Sequence, residues 1–493
     1  MPGAESLFGL DDFQITHSCR FNGTADGAHL HRQPANDGNK RTFTLSVWVK
    51  RQKLRTVADR EQDIFGAFYA SNASRYSYIA FDHNDRLQIF GGEYSTNSTA
   101  RSFYRKTSAV YRDTSAWYHI VWKHDSTDGT ASNRDLLYVN GVLQDWSASI
   151  GGEFTNLVTG QNEDSYFNTT NSPMRIGEYA ASGNMEFDGY MAEMHWVDGT
   201  VYAPTVFGKF DSVHGHWKPI TVDGVTYGTN GFHIDFNDSG NLGNVQDGLL
   251  TDFTVVNLDA ADQVLDTPTN NFAVMNPLSE QIIDGDGNEK VVTFTEGNLK
   301  IVTPRTATGL TFSSIGVQSG KWYCEMKSSG VGAGALIGII ASSSTGTTDR
   351  SDSDPYAWVY LNGGSLKNNG SSQSGTWASW ANNDLIGMAL DLDNNKIYFS
   401  KNGVWQNTGT ADPSTGTDGF PITAVSSLPA SQSGNYFIMS SDDSTGNNAT
   451  FNWNFGNPTF AISSGNADSS GLGNFEYAVP TGYLSLCTNN LNL

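Results

Sequence analysis

From Thr42 to Lys50 the chain alternates, with Phe43, Leu45, Val47 and Val49 apolar and Thr, Ser and Trp48 among the residues between them. A period of two places the apolar set on one buried face of a strand. Tyr118, Ile120 and Trp122 repeat the pattern, as do Phe232, Ile234 and Phe236. Tyr190, Ala192, Met194 and Trp196 are expected on one face of another strand, closed by Asp198-Gly199. The segments LLYVNGVL and KIYFSKNGVW set Asn140-Gly141 and Asn402-Gly403 between short apolar runs. Both predict hairpins, because the favoured two-residue turn needs positive φ at each central position. In GKWYCEMK, Trp322, Cys324 and Met326 alternate with Tyr323, Glu325 and Lys327, and ALIGII and DLIGMALDLD read as inner strands. Phe451, Trp453 and Phe455 alternate near the end. Only Ala203 to Phe210 suggests helix, one or two turns of it. No heptad and no longer repeat is present.

Short strands at this spacing point to an all-β chain of two tandem antiparallel β-sandwiches of the jelly-roll kind. The stretch Asn237 to Pro277, rich in Asp, Asn, Gly and Thr, reads as connecting chain. The expected organisation is a tether at 1–12, a first sandwich at 13–240, a linker with lead-in strands at 241–294, a second sandwich at 295–462 and a C-terminal extension at 463–493.

Composition narrows the function. Charged residues are 16 % of the 493, with 52 glycines and 12 % aromatics, which suits strands and tight turns over solvent-facing helices. The net charge of −22 argues against binding nucleic acid or an anionic membrane surface. No apolar run is long enough to span a bilayer, and Met1 to Asp12 lacks the basic start and apolar core of a signal peptide. The expectation is a protein made soluble in the cytoplasm. Cys19, Cys324 and Cys487 have neither disulfide nor zinc spacing and read as structural thiols.

Several segments carry a family resemblance. SCRFNG, FTLSVWVKR, AWYHIVW, LYVNGV, MRIGEY and FDGYMAEMHWVDG occur in the order found in the laminin G-like, concanavalin A-like jelly roll, over about 13–240. GKWYCEMK, DLIGMALDLDNNKIYFSKNGVW, FPITAV and FNWNFGNPTF resemble a SPRY domain over about 295–462. With YGTNGFHIDF, DTPTNNF and PTGYLSLCT, the combination resembles tail-fibre or lectin-like proteins of phages and environmental viruses. SPRY domains are binding modules whose end loops vary, so the fold does not identify a ligand. Laminin G-like domains often hold calcium in rim loops, so the resemblance leaves room for a structural calcium ion. No other cofactor is expected.

The motifs for catalysis are poor. Some concanavalin A-like glucanases carry Glu-x-Asp-x-(x)-Glu, with nucleophile and acid on one strand face. Here Glu186-Phe-Asp188 is followed next by Glu193, too far along and of the wrong parity. His29-Leu-His31 and His214-Gly-His216 each pair two imidazoles but show no third ligand, and no metal site is assigned. Asp284, Asp286 and Asn288, and Asp391, Asp393 and Asn395, have the start of a calcium-loop spacing. Glu289 and Lys396 stand where glycine is required, so both read as turns.

Glycan recognition is the positive expectation. Aromatic rings cover sugar C–H faces, while Asn, Asp and backbone groups bond hydroxyls. The candidates are Tyr356, Trp358 and Tyr360 on one strand face, Trp377 and Trp380 in SGTWASWANND, and Asp82, Asn84 and Tyr94 in rim loops. Of these, Trp358 is better suited to a core position. The expected protein is non-enzymatic and virion-located, a tail-fibre, tail-associated or head-fibre component. Many copies would contact other virion proteins and a host glycan or protein, with no nucleic acid and no membrane insertion. A decoration or scaffold protein is the alternative, and a polysaccharide depolymerase the second alternative.

Overall fold

The structure is a computed structural model. It describes residues 13–23, 27–54, 61–70, 75–93, 101–147, 157–178, 185–246, 250–278, 282–283, 289–290, 292–303, 310–331, 334–341, 351–429, 434–442 and 448–491. The expected tether at 1–12 and the candidate Tyr94 lie outside these, as do Asp284, Asp286 and Asn288. The chain divides into two compact units between Thr269 and Asn270. The described residues are overwhelmingly β, and their helical segments are single 3-10 turns.

The first unit runs through β1 (Ser18–Asn22), β2 (His29–Arg32), β3 (Thr42–Arg51), β4 (Gln62–Phe68), β5 (Arg75–Phe81), β6 (Leu87–Glu93), β7 (Arg101–Lys106), β8 (Trp117–Asp125) and β9 (Asp135–Val139). It continues with β10 (Val142–Leu143), β11 (Met174–Ile176), β12 (Asp188–Asp198), β13 (Gly208–Phe210), β14 (Trp217–Pro219), β15 (Phe232–Ile234), β16 (Thr254–Val256) and β17 (Gln263–Val264). One antiparallel sheet has the order β10-β9-β8-β3-β12-β1-β17, with β15 also on β12, and the other is β16-β2-β11-β4-β5-β6-β7. Phe43, Leu45, Val47 and Val49 of β3 and Ile120 and Trp122 of β8 lie in the buried cluster that also takes in Phe65 and Ile79 of the second sheet, as the alternation predicts. The β9–β10 hairpin turns at Asn140 and Gly141, with φ of 48° and 76°.

Three expectations fail in this unit. Tyr190, Ala192, Met194 and Trp196 do not share a face. The β12–β3 register shifts between Ala192 and His195, and Glu193 sits in the left-handed region with φ of 45°. This bulge leaves Met191, Met194 and Trp196 in the inner core and Tyr190 and Ala192 on the outer face. The outer face is itself covered, because Trp48, Tyr190 and Ala192 pack with Ile15, Trp117, Trp217 and Val264. The described residues of 241–269 are no linker. Val245 and Phe253 are core residues, β17 pairs with β1, and Asp266 is ion-paired to Lys50 at 2.7 Å with both side chains sealed from solvent. At Ala203–Phe210 only Pro204–Val206 forms a 3-10 turn, and Gly208–Phe210 is strand.

The second unit pairs a sheet ordered Thr293–Thr295, Lys300–Val302, Thr450–Asn454, Lys321–Gly330, Leu385–Asp391, Lys396–Lys401 and Val404–Trp405 with a second sheet. That one is ordered Thr311–Val317, Tyr436–Asp442, Ala335–Ala341, Ala357–Leu361, Ser365–Asn368 and Ser371–Ser372. Trp322, Cys324 and Met326 face the core between the sheets. Tyr323 and Glu325 on the opposite face are also buried, because the C-terminal extension folds over them. Phe475 and Tyr483 pack with Tyr323, Ala389 and Tyr398, and Leu484–Ser485 adds a parallel strand. Glu325 is satisfied there by the backbone N–H groups of Glu476 and Tyr477, at 3.0 and 2.8 Å. Phe272 to Met275, expected as connecting chain, are likewise core residues of this unit.

Candidate functional site

In the first unit a shallow groove of about 620 Å³ opens between the turn at 37–41, the end of β12 and the turn before β15. Its floor is Asp198. One oxygen of that carboxylate accepts from the Asn39 N–H at 2.7 Å and the Asn168 amide at 3.0 Å, and the other accepts from the Asn230 N–H at 3.0 Å. One carboxylate thereby holds loops from distant parts of the chain. Burial raises its pKa, against the pull of the Asn39 and Asn230 N–H groups. The packing is close enough that a Cβ at Gly38 would lie 2.0 Å from Asp198 Oδ2, and one at Gly228 2.0 Å from the Asp198 carbonyl. Only glycine permits that approach.

The rim carries charge in opposed pairs. Lys40 Nζ lies 3.0 Å from Asp37, and Arg41 pairs with Asp164. The backbone N–H of Thr170, then Lys40 and the Thr170 hydroxyl, hold Asp37 down at about 2. Thr229 and Asn39 complete the polar lining. The groove presents donors and acceptors in both senses and no aromatic face. Such a surface suits a hydroxyl-rich or zwitterionic ligand held by hydrogen bonds. Sequence reading missed it, because its parts come from separate loops that meet around Asp198.

The aromatic candidates lie elsewhere and mostly inward. Trp358, Tyr360 and Trp380 are core residues of the second unit, and Tyr356 and Trp377 are half-buried against them. The alternation of Tyr356, Trp358 and Tyr360 is therefore the inward face of the strand Ala357–Leu361. Trp377 donates Nε1–H to the Ser374 carbonyl at 3.2 Å, and its ring centroid is 5.7 Å from that of Tyr360. Trp380 approaches Tyr360 edge-on at 6.4 Å. Ring surface packed in this way is withheld from a sugar at Trp358, Tyr360 and Trp380, and only in part at Tyr356 and Trp377. Asp82 is also buried. It accepts from the N–H groups of Asn84 and Arg86, each at 2.9 Å, and faces Lys106 at 3.0 Å, so it organises its own turn. Of this pair Asn84 alone is exposed.

The outer face of the first sheet carries a second polar cluster, which the sequence did not suggest. Glu193 Oε2 lies 2.8 Å from His233 Nε2 and 3.6 Å from His195 Nε2. His195 Nδ1 is 2.7 Å from the Tyr227 hydroxyl. Burial, then the neighbouring His233, lowers the His195 pKa to about 4. Burial pushes the Glu193 pKa up, but the two imidazoles beside it bring it down to about 2. The left-handed backbone of Glu193 costs on the order of 1–3 kcal/mol and is what turns its carboxylate onto the imidazoles.

Among the described residues, neither histidine pair seen in the sequence belongs to a group of three converging ligand atoms. His29 and His31 have ring centroids 5.6 Å apart, and His29 Nδ1 turns to the Gly27 carbonyl at 2.9 Å and to Glu178 at 3.1 Å. His214 and His216 stack 6.2 Å apart. The Asp391 turn does not fit calcium. Asp391 is taken by Asn394 and Lys321, and Asp393 accepts from the Gly320 N–H at 2.8 Å.

Residues 22–207 match the family model for the concanavalin A-like lectin/glucanases superfamily, and residues 321–437 match the SPRY domain. The chain carries a concanavalin A-like domain followed by a SPRY domain. Among solved structures, the SPRY domain of human HERC1 is similar at 17 % identity, covering 33 % of this chain and 91 % of that one, with a TM-score of 0.25. The TRIM65 PSpry domain is similar at 14 % identity, covering 36 % and 91 %, with a TM-score of 0.24. The native heptameric SAP-like pentraxin of Limulus polyphemus is similar at 13 % identity, covering 50 % and 97 %, with a TM-score of 0.28. No curated protein matches. Both matched spans stop short of segments that complete the sandwiches, including His233 and the C-terminal 463–491.

Proposed function

We propose that this protein is a non-catalytic recognition component of a virus particle, with the groove of its concanavalin A-like domain as the contact for a host-surface glycan. The observation that carries this is the groove itself, where Asp37, Lys40, Arg41 and Asp164 offer matched donors and acceptors around the fixed Asp198. The virion setting rests on the resemblance drawn from the sequence. A polar groove without aromatic cover binds weakly at each site, and display in many copies raises the overall affinity without new contacts. The net charge of −22 helps keep the copies soluble before assembly.

Catalysis has little to recommend it. Glu186 and Asp188 are both buried, and the groove carboxylates are engaged by N–H groups or cations. A decoration role remains the second reading, since SPRY domains serve protein contacts as well.

The test is a glycan array and a host-cell binding assay with the whole protein. Arg41→Ala combined with Asp164→Ala is expected to reduce binding at least about tenfold, the loss of one or two hydrogen bonds to charged groups, at unchanged thermal stability. Binding to neither glycans nor cells sinks the recognition reading. Release of reducing sugar from host polysaccharide overturns the non-catalytic one.

A further inference from the structure

We infer that Glu193, His195 and His233 form a binding site for a divalent transition-metal ion of the zinc class, bracing β15 against β12. Among the described residues this is the group of three His, Cys, Asp or Glu side chains whose donor atoms lie within 4.8 Å of one another. Three features point to a cation. Both Nε2 atoms converge on the same carboxylate oxygen, at 2.8 and 3.6 Å. The far nitrogen of His195 is fixed by the Tyr227 hydroxyl at 2.7 Å, the outer-shell contact that orients a ligating imidazole. The bulge at Glu193 supplies the carboxylate from a strand position that would otherwise point elsewhere.

The arrangement also limits what the ion does. His195 and His233 are opposed across β12 and β15, and their rings stack at 4.1 Å with 12° between planes. One ring must turn for both nitrogens to meet a single ion. His233, with its side chain 23 % exposed against 2 % for His195, is the one that turns. Glu193 and His195 also line a cavity of about 10 Å³, closed by Phe207, Pro219 and Ile220. A volume of that size holds at most about one water and no substrate, which fits a structural ion. Two imidazoles and one carboxylate favour zinc-class ions over calcium, which takes oxygen ligands.

The test uses the full-length protein, stripped with chelator and titrated calorimetrically with Zn2+ or Ca2+ near neutral pH, with Co2+ absorption reporting geometry. One Zn2+ per chain is expected, with tetrahedral Co2+ bands and no Ca2+ competition. His233→Ala, at the more exposed of the two imidazoles and with its folding checked by thermal unfolding, is expected to weaken Zn2+ at least about 100-fold, since even outer partners cost 10–100-fold. Tyr227→Phe is expected to weaken it within that range, and His214→Ala with His216→Ala to leave it unchanged. The inference is overturned if the wild type binds no Zn2+ below about 10 μM, or if binding survives His233→Ala.

Discussion

Lys50→Met tests whether residues 241–269 belong to the first sandwich. Lys50 Nζ meets Asp266 Oδ2 at 2.7 Å, and the two side chains are 1 % and 0 % exposed. Asp266 Oδ1 accepts the Trp117 indole N–H at 2.9 Å, and Ser18 donates its hydroxyl to the Asp266 carbonyl at 2.6 Å. The Lys50 ammonium also lies 5.5 Å from the Tyr190 ring centroid. Methionine keeps most of the lysine volume, so the substitution removes charge and leaves little cavity. What remains is a sealed carboxylate facing an apolar neighbour. Breaking a buried pair in this way costs about 3–5 kcal/mol, or a factor of roughly 10² to 10³ or more in the folding equilibrium. Asp266→Asn alone strands the ammonium at a similar cost. The double variant buries neither charge, and its amide oxygen still accepts from Trp117. It should lie within about 1–2 kcal/mol of wild type. The assay is urea unfolding of the full chain, read by hydrogen exchange at the Thr42–Arg51 amides so that the first unit is followed by itself. A loss under about 1 kcal/mol for Lys50→Met, or a double variant no better than the singles, would refute the reasoning and return the segment to a loosely attached linker.

Three further outcomes are expected. Trp380→Ala should destabilise the second unit by about 3–5 kcal/mol, whereas Trp377→Ala, half-exposed, should cost clearly less; equal midpoints in thermal unfolding would contradict the burial difference. Glu325→Ala leaves the N–H groups of Glu476 and Tyr477 without their acceptor, at about 1–3 kcal/mol each, and should release the C-terminal segment to limited proteolysis while the sandwich core persists. Fully buried His119 accepts from the Trp217 indole at Nδ1 and contacts Ser46 Oγ through Nε2, each at 2.8 Å, so protonation would set two donors face to face. Burial and the nearby His195 bring its pKa from 6.5 to about 3. Its contribution is complete above pH 6.5 and is lost toward pH 3, as the unfolded chain takes up a proton that the folded chain refuses. The loss is of order 4 kcal/mol, and His119→Gln should flatten the stability–pH curve over that window.

Local pattern was enough for the architecture. The alternation in Thr42–Arg51 and Trp117–Asp125, and the Asn-Gly turns at 140–141 and 402–403, specify strands and hairpins through backbone preference and a single buried face. Both act over a few residues, so they can be read without neighbours. The sequence could not state which strands are buried twice. Tyr323, Glu325, Trp48 and Tyr190 look half-solvated until remote segments, 463–491 in one unit and 13–18 and 200–222 in the other, fold over them. Trp380 stands in a stretch rich in Ser, Ala and Asn, which gives no sign of burial, yet its neighbour in space is Tyr360. One extra residue in β12 reverses the faces that strict alternation assigns, and it brings Glu193 to His233 forty residues away. The groove likewise forms where Asp198 and its neighbours gather loops whose separations carry no signal. Periodicity is a property of a segment; a site built by long-range contacts belongs to the packed molecule.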